Sequence, residues 1–200
     1  MNLGSRCFGR IIVKSYCIID GDMQQEEGAT ELSIDELREI AGFAVECARR
    51  VLPIFERQAP DDSRPREAIE AGLAFSKNGK RSNELRAKGL AAFRSAYAVD
   101  VPAAKEAAKA STQAVGAAFL HPIAKAHQVA HILGAAAYAA RAAELEAGDD
   151  LSVGEEYRDW AVRHAPETVA TVLTRYPAAP AGGGRTGEIL RELDVALRQR

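Results

Sequence analysis

Hydrophobic and polar positions alternate with a helical period along most of the chain. Between Ile34 and Phe55 apolar residues recur at spacings of three and four, as on one face of an α-helix. Ser33 precedes this run, and Glu36 stands three residues after Ser33, which is the spacing of a capping box. The pattern predicts a first helix here, and Pro53 is expected to kink or end it because proline removes a backbone donor.

Prolines and capping residues divide the next part of the chain into shorter amphipathic segments. Arg64-Pro65 and Pro102 are expected to open helices, because proline fits the first helical turn. Ser82 or Asn83 is expected to cap another helix between them, with Leu85 and Phe93 on its inner face. The sequence therefore predicts three helices over this stretch.

The second half of the chain is rich in alanine, which accounts for 19 of the 45 residues from 103 to 147. This composition favours helices that can approach one another closely. Pro122 is expected to divide two helices or to kink one long helix. Ser152 with Glu155 repeats the capping-box spacing, and Pro166 is expected to start another short helix.

These segments predict an all-α fold, an antiparallel helical bundle of about six to eight helices joined by short loops. Two hundred residues suffice for one domain of this kind. We divide the chain into an N-terminal extension (1–30, disordered or upstream of the true start), a helical domain (31–176), a Gly/Pro linker (177–187) and a C-terminal helix (188–200). The extension contains an apolar run at 11–19 that could also form a short strand.

Composition excludes a protein that coats nucleic acid through its overall charge, since 47% of residues are hydrophobic and the net charge is −2. Charge is nevertheless uneven, because residues 77–125 carry nine basic and three acidic side chains. A solvated face is favoured there, because aromatic stacking residues are not interleaved with the cations. A nucleic-acid-binding helical module stays open as an alternative function.

The cysteines Cys7, Cys17 and Cys47 do not suggest a disulfide framework or a zinc site, because their number is odd and no CxxC occurs. Cys47 lies between apolar residues and is expected in the core. The longest apolar run is interrupted by Lys14 and is shorter than the roughly 18 residues of a membrane span. We therefore expect a cytoplasmic protein with no membrane partner.

His127 and His131 are the strongest candidates for site chemistry, because a spacing of four places two histidines on one helix face. Such a pair can clamp a transition metal, but the sequence supplies no third ligand nearby. Histidines that satisfy backbone groups are the favoured interpretation, and a histidine-centred metal protein or enzyme is the alternative. A third interpretation is a partner contact that includes Tyr138, seven residues beyond His131. We expect no catalytic site, metal or cofactor.

Alternating charges in the loop that follows the first helix form a second candidate group. Arg66 and Glu70 are spaced for an ion pair on one helix face, worth about 0.3–0.5 kcal/mol. Arg64 and Arg66 could instead make bidentate contacts with a partner. A structural tie and a recognition loop both fit these residues.

Three segments resemble the bacterial immunity-protein-5-like family. They read VLPIFE at 51–56, DSRPREAIEA at 62–71 and AHQVAHILGAAAYA at 126–139. Together they anchor roughly residues 34–147. The resemblance implies an all-helical, non-enzymatic protein that binds and neutralises a cognate toxin protein.

Residue by residue, the resemblance points to two sets of binding residues within its segments. They are Arg64, Arg66, Glu70, His127, His131 and Tyr138. It does not say whether these side chains contact the toxin or hold the fold. The sequence leaves the activity of the toxin and a homo-oligomeric state open.

Overall fold

The longest helix, α1 (Ile34–Gln58), begins as its capping box predicts. In a computed structural model that describes residues 29–200, Ser33 Oγ accepts a hydrogen bond from the Glu36 amide at 3.2 Å, and the Glu36 carboxylate accepts one from the Ser33 amide at 2.7 Å. Pro53 lies inside α1, so of the two expected effects, a kink or an end, the helix end is wrong. Leu52 and Phe55 are buried on either side of it, and their packing holds the helix across the missing hydrogen bond.

Seven more helices follow α1 in the described chain. They are α2 (Arg64–Ser76), α3 (Asn83–Ser95), α4 (Pro102–Gly116), α5 (Val129–Glu146), α6 (Leu151–His164), α7 (Glu167–Leu173) and α8 (Gly184–Arg198). Short 3-10 turns at Ala117–Phe119 and Ala126–Gln128 separate α4 from α5. Over residues 29–200 there is no strand, only an isolated antiparallel bridge between Ala29 and Ile123. The predicted all-α fold is confirmed.

Two helix starts decide between neighbouring candidate capping residues. Ser82 Oγ accepts a hydrogen bond from the Leu85 amide at 3.0 Å and caps α3. The predicted cap at Ser152 was wrong, because Asp150 stands two residues earlier and its carboxylate accepts from the Ser152 amide at 2.9 Å. Helix α8 also starts four residues before the predicted position of Glu188, inside the expected linker.

Helices α1 and α4 form the centre of the bundle, and α2, α3 and α5 pack around them. The inner residues of α4 are mostly fully buried alanines, as the composition predicts. Glycines on the neighbouring helices bring the backbones closer still. A Cβ at Gly72 would lie 3.0 Å from the Ala114 carbonyl oxygen, and one at Gly89 would lie 2.9 Å from Val115. The alanine-rich helices therefore pack without space for large side chains between them.

The C-terminal helix α8 packs back on α5 and also contacts α6 and α7. Ile189, Leu193 and Leu197 are buried in this contact. Arg185, near the start of α8, donates to the buried carboxylate of Glu144 on α5 at 2.6 Å. An ion pair thus anchors the beginning of the helix, and apolar side chains hold the rest.

Some sequence predictions concern residues beyond the described range. Cys7, Cys17 and the apolar run at 11–19 lie outside it. Cys47 lies in the core, where burial raises the pKa of its thiol. Among residues 29–200, no helix combines the length and the apolar character needed to cross a membrane.

Candidate functional site

Two predicted binding residues, His131 and Tyr138, lie on the same partly exposed side of α5. They are seven residues apart, which on an α-helix is about two turns. Gly134 lies between them, and the Gln113 side chain of α4 covers it, 3.1 Å from the position that a Cβ would occupy. The two helices therefore share one outer face, which we call the α4–α5 face and define by Gln113, His131, Tyr138 and Lys109.

His131 sits in this face with its ring largely buried. Burial lowers the pKa of His131, and the nearby rings of His121 and His127 lower it further. Nδ1 of His131 is buried and has no hydrogen-bond partner among the described residues. The Gly116 backbone is close enough to favour the charged ring, but it is not placed to form a hydrogen bond. The neutral imidazole is therefore the favoured form at pH 7.

His127 is not on the same helix face as His131, contrary to the spacing argument, because α5 begins only at Val129. It lies in the 3-10 turn before α5 and is exposed. Gln128 Nε2 lies 2.8 Å from His127 Nε2, and Gln128 Oε1 accepts from the His121 amide at 3.0 Å. The glutamine thus fixes the loop that carries both histidines.

Tyr138 is half-buried and presents its ring to a cation. The Lys109 ammonium lies 5.7 Å from the ring centroid and is paired with Glu106 at 2.6 Å. Burial raises the pKa of Tyr138, whereas Lys109 opposes the rise. Because Lys109 is compensated by Glu106, the tyrosine offers an aromatic and hydroxyl surface with little net charge around it.

The second predicted group, on α2, is tied to the protein's own acidic side chains. Arg64 donates to both carboxylate oxygens of Asp62, at 2.8 and 2.6 Å, and this bond holds the pKa of Asp62 below its usual value. Arg66 pairs with Glu56 of α1 at 2.5 Å and not with Glu70, so the expected pair on one helix face is not the one formed. Glu70 is exposed. These contacts fix the loop between α1 and α2.

The structure thus separates the six predicted residues into two places. No hydrogen bond or ion pair in the described chain joins Arg64, Arg66 or Glu70 to the histidines or Tyr138. Lys109 and Gln113 could not be identified from the sequence, because their contacts with α5 depend on how the helices pack. Across residues 29–200, no group of three or more His, Cys, Asp or Glu side chains is arranged to hold a metal ion.

A groove of about 470 Å³ lies elsewhere, between α1 and α6. The Arg50 guanidinium stacks over the Trp160 ring at 4.1 Å, and His164 stacks on the same ring at 4.7 Å. Below them the Tyr157 hydroxyl donates to the Cys47 carbonyl at 2.5 Å. Because Trp160 is already covered by a cation and an imidazole, the groove offers less free aromatic surface than its composition suggests.

Residues 30–168 match the profile of the family described as "Imm-5 like putative immunity protein". The chain belongs to this family. The matched region of the immunity-family chain includes α1 to α6 and therefore both groups of predicted residues, whereas α8 lies beyond it. No curated protein and no solved structure is found to match the chain.

Proposed function

We propose that this immunity-family protein binds a cognate bacterial toxin protein in the cytoplasm and neutralises it without turning over a substrate. Membership of the family over more than two thirds of the chain carries this proposal. The partner is a protein, and the contribution of this chain is a complementary surface.

The α4–α5 face is the proposed centre of that surface. Tyr138 offers a half-buried ring that can be fully desolvated by a partner at small entropic cost, which is typical of residues that dominate binding energy. His131 adds a neutral imidazole, and His127 stands exposed at the edge. Arg64, Arg66 and Glu70 form a second proposed contact. Binding there requires the two arginines to break their ion pairs with Asp62 and Glu56.

Growth rescue tests the proposal. Each gene that neighbours this one is expressed alone to find a product that stops growth, and the full chain is then co-expressed with it. Restored growth and a stoichiometric complex are expected. A toxic neighbour that kills equally well with and without the chain would overturn the proposal.

Variants then locate the contact. His131→Gln with Tyr138→Ala should abolish rescue, whereas Trp160→Ala in the α1–α6 groove should retain it, with folding of each variant checked by circular dichroism. Loss of rescue with Arg64→Ala and Arg66→Ala but not with the α5 pair would move the contact to α2. Metal analysis of untagged protein and salt-dependent binding to DNA and RNA test the two alternative functions.

A further inference from the structure

Helix α3 exposes three large hydrophobic side chains side by side. Tyr97 just beyond its C-terminus is 70% exposed, Leu90 48% and Phe93 41%. In the described chain the two other large exposed hydrophobic residues, Leu151 and Val195, lie apart on α6 and α8. A cluster of this kind, unlike isolated exposed residues, marks an interaction site.

Leu90 and Phe93 share one narrow side of α3 with Arg86, since at 3.6 residues per turn these three residues fall within an arc of about 60°. Tyr97 lies two residues beyond the end of α3 and joins this side through its contact with Phe93. The Phe93 and Tyr97 rings pack edge to face with centroids 5.1 Å apart. Phe93 was predicted on the inner side of α3, and its exposure corrects that prediction. We call these four residues the α3 stripe.

The α3 stripe is continuous with the α4–α5 face. Its neighbour Gly89 faces Val115 of α4, so the stripe borders the outer side of α4. The Arg86 guanidinium stacks over the Phe119 ring at 4.7 Å, just after α4. At the other end Tyr97 lies near Lys109 and Tyr138, and its hydroxyl raises the pKa of both.

The charge around the stripe is positive. Arg86, Arg94 and Lys105 are in no ion pair among residues 29–200. Glu84, the acid on α3, acts on Lys88, which pairs with Glu67 of α2. Asp100, an exposed acid three residues after Tyr97, is in no ion pair in the described chain either, so the three cations exceed it by two charges. A chain with a net charge of −2 thus presents a local positive field beside exposed aromatic rings.

We propose that the α3 stripe and the adjoining α4–α5 face dock an acidic protein surface with an apolar centre, namely that of the toxin. This inference rests on the proposed function and adds the character of the partner's surface. Uncompensated cations attract carboxylates and speed association, and the rings and Leu90 supply the desolvated centre. We therefore expect the protein to bind an acidic region of the toxin surface and not a basic cleft that holds nucleic acid.

Charge and shape favour a protein over a nucleic acid as the occupant. Three free cations are fewer than the roughly six to ten phosphate contacts of a strong nucleic-acid binder. Leu90 stands in the middle of the stripe, where it cannot stack on a base as an aromatic ring does. A second copy of the chain would bring equal positive faces together and is disfavoured by repulsion.

Binding kinetics test the inference, with the purified toxic product of the neighbouring gene as the probe for the full chain. Phe93→Ala with Tyr97→Ala should raise Kd by about 100-fold or more. The matched control, Leu151→Ala with Val195→Ala, removes equally exposed hydrophobic side chains elsewhere and should change Kd less than about threefold.

Charge reversal tests the sign of the partner. Arg86→Glu with Arg94→Glu should slow association about tenfold at low salt and flatten its salt dependence. Arg49→Glu, an exposed cation on α1, is the control and should leave the association rate near that of the unchanged chain. Faster association after reversal would show a basic partner surface and overturn the inference.

Other outcomes separate this inference from the proposed function. Tight binding by the unchanged chain with no loss in the α3 variants overturns the inference and leaves the immunity function standing. Failure of the unchanged chain to bind or rescue overturns both. A dimer in sedimentation that Phe93→Ala with Tyr97→Ala dissociates assigns the stripe to a second copy, and competition by DNA or RNA assigns it to nucleic acid; either result overturns the inference.

Discussion

Replacing Glu144 with glutamine should be among the most damaging nearly isosteric changes in this protein. The Glu144 side chain is fully buried and lies between two guanidinium groups. Arg141 donates to it at 2.8 Å and Arg185 at 2.6 Å. Glutamine keeps the shape but removes the charge, and it turns an amide nitrogen toward one of the two arginine donors.

The magnitude follows from what the two arginines lose. Removing one partner of a buried ion pair costs about 3–5 kcal/mol when the remaining charge stays buried. The side chains of Arg141 and Arg185 are 18% and 23% exposed, and each keeps a second carboxylate, Asp149 at 2.5 Å and Glu188 at 3.5 Å. Water and these carboxylates can therefore partly replace Glu144. We therefore expect Glu144→Gln to lower the free energy of unfolding by about 2–3 kcal/mol.

Urea denaturation followed by circular dichroism measures this loss. Arg57→Gln is the control, because its partner Glu146 is on the surface, and a change below about 1 kcal/mol is expected. Amide exchange of α8 should also accelerate in the Glu144 variant, since Arg185 anchors that helix. If Glu144→Gln is as stable as Arg57→Gln, the buried cluster does not stabilise the fold as argued.

Three further predictions concern single positions. Gly154→Ala should destabilise by about 1–3 kcal/mol in urea melts, because its Cβ would overlap the Glu144 side chain, whereas a Cβ at Gly42 would meet Ser76 at an ordinary contact distance of 3.7 Å. The free energy of unfolding should fall as pH drops through about 6.5, because the unfolded chain then binds a proton that the buried His131 of the folded protein, with its lowered pKa, does not bind. His131→Gln should flatten this part of a thermal-melt pH profile. Pro53→Ala should raise the melting temperature, since the exposed ring interrupts α1 without adding to the core, and an unchanged or lower value would contradict that account.

Local signals in the sequence were enough to predict most helix boundaries. Ser33 and Pro102 act on the turn that they begin, so neighbouring residues decide their effect. The effect of Pro53 could not be predicted, because it depends on how the residues around it pack, which the local sequence does not show. Phe93 misled it for a related reason: the close approach of Gly89 to Val115 leaves no room for a ring between α3 and α4, and the ring lies outside.

The candidate site was predictable only in part. His131 and Tyr138 share a helix, so their spacing placed them on one side. His127 did not follow, since spacing alone could not show that the helix starts at Val129. Partners far apart in sequence, such as Arg185 with Glu144, are fixed by tertiary packing, and a periodic pattern carries no information about them.

The C-terminal helix links stability to the proposed binding face, although it lies beyond the family match. Thr186 near the start of α8 donates a long hydrogen bond of 3.4 Å to Glu106, and Glu106 holds Lys109 beside the Tyr138 ring. Loosening α8 should therefore remove one contact that orients Glu106, as well as destabilise the bundle. A preformed surface loses less conformational entropy when it binds. The docking of α8 thus supports recognition by fixing side chains of the face, even though α8 itself contributes none of the residues that define it.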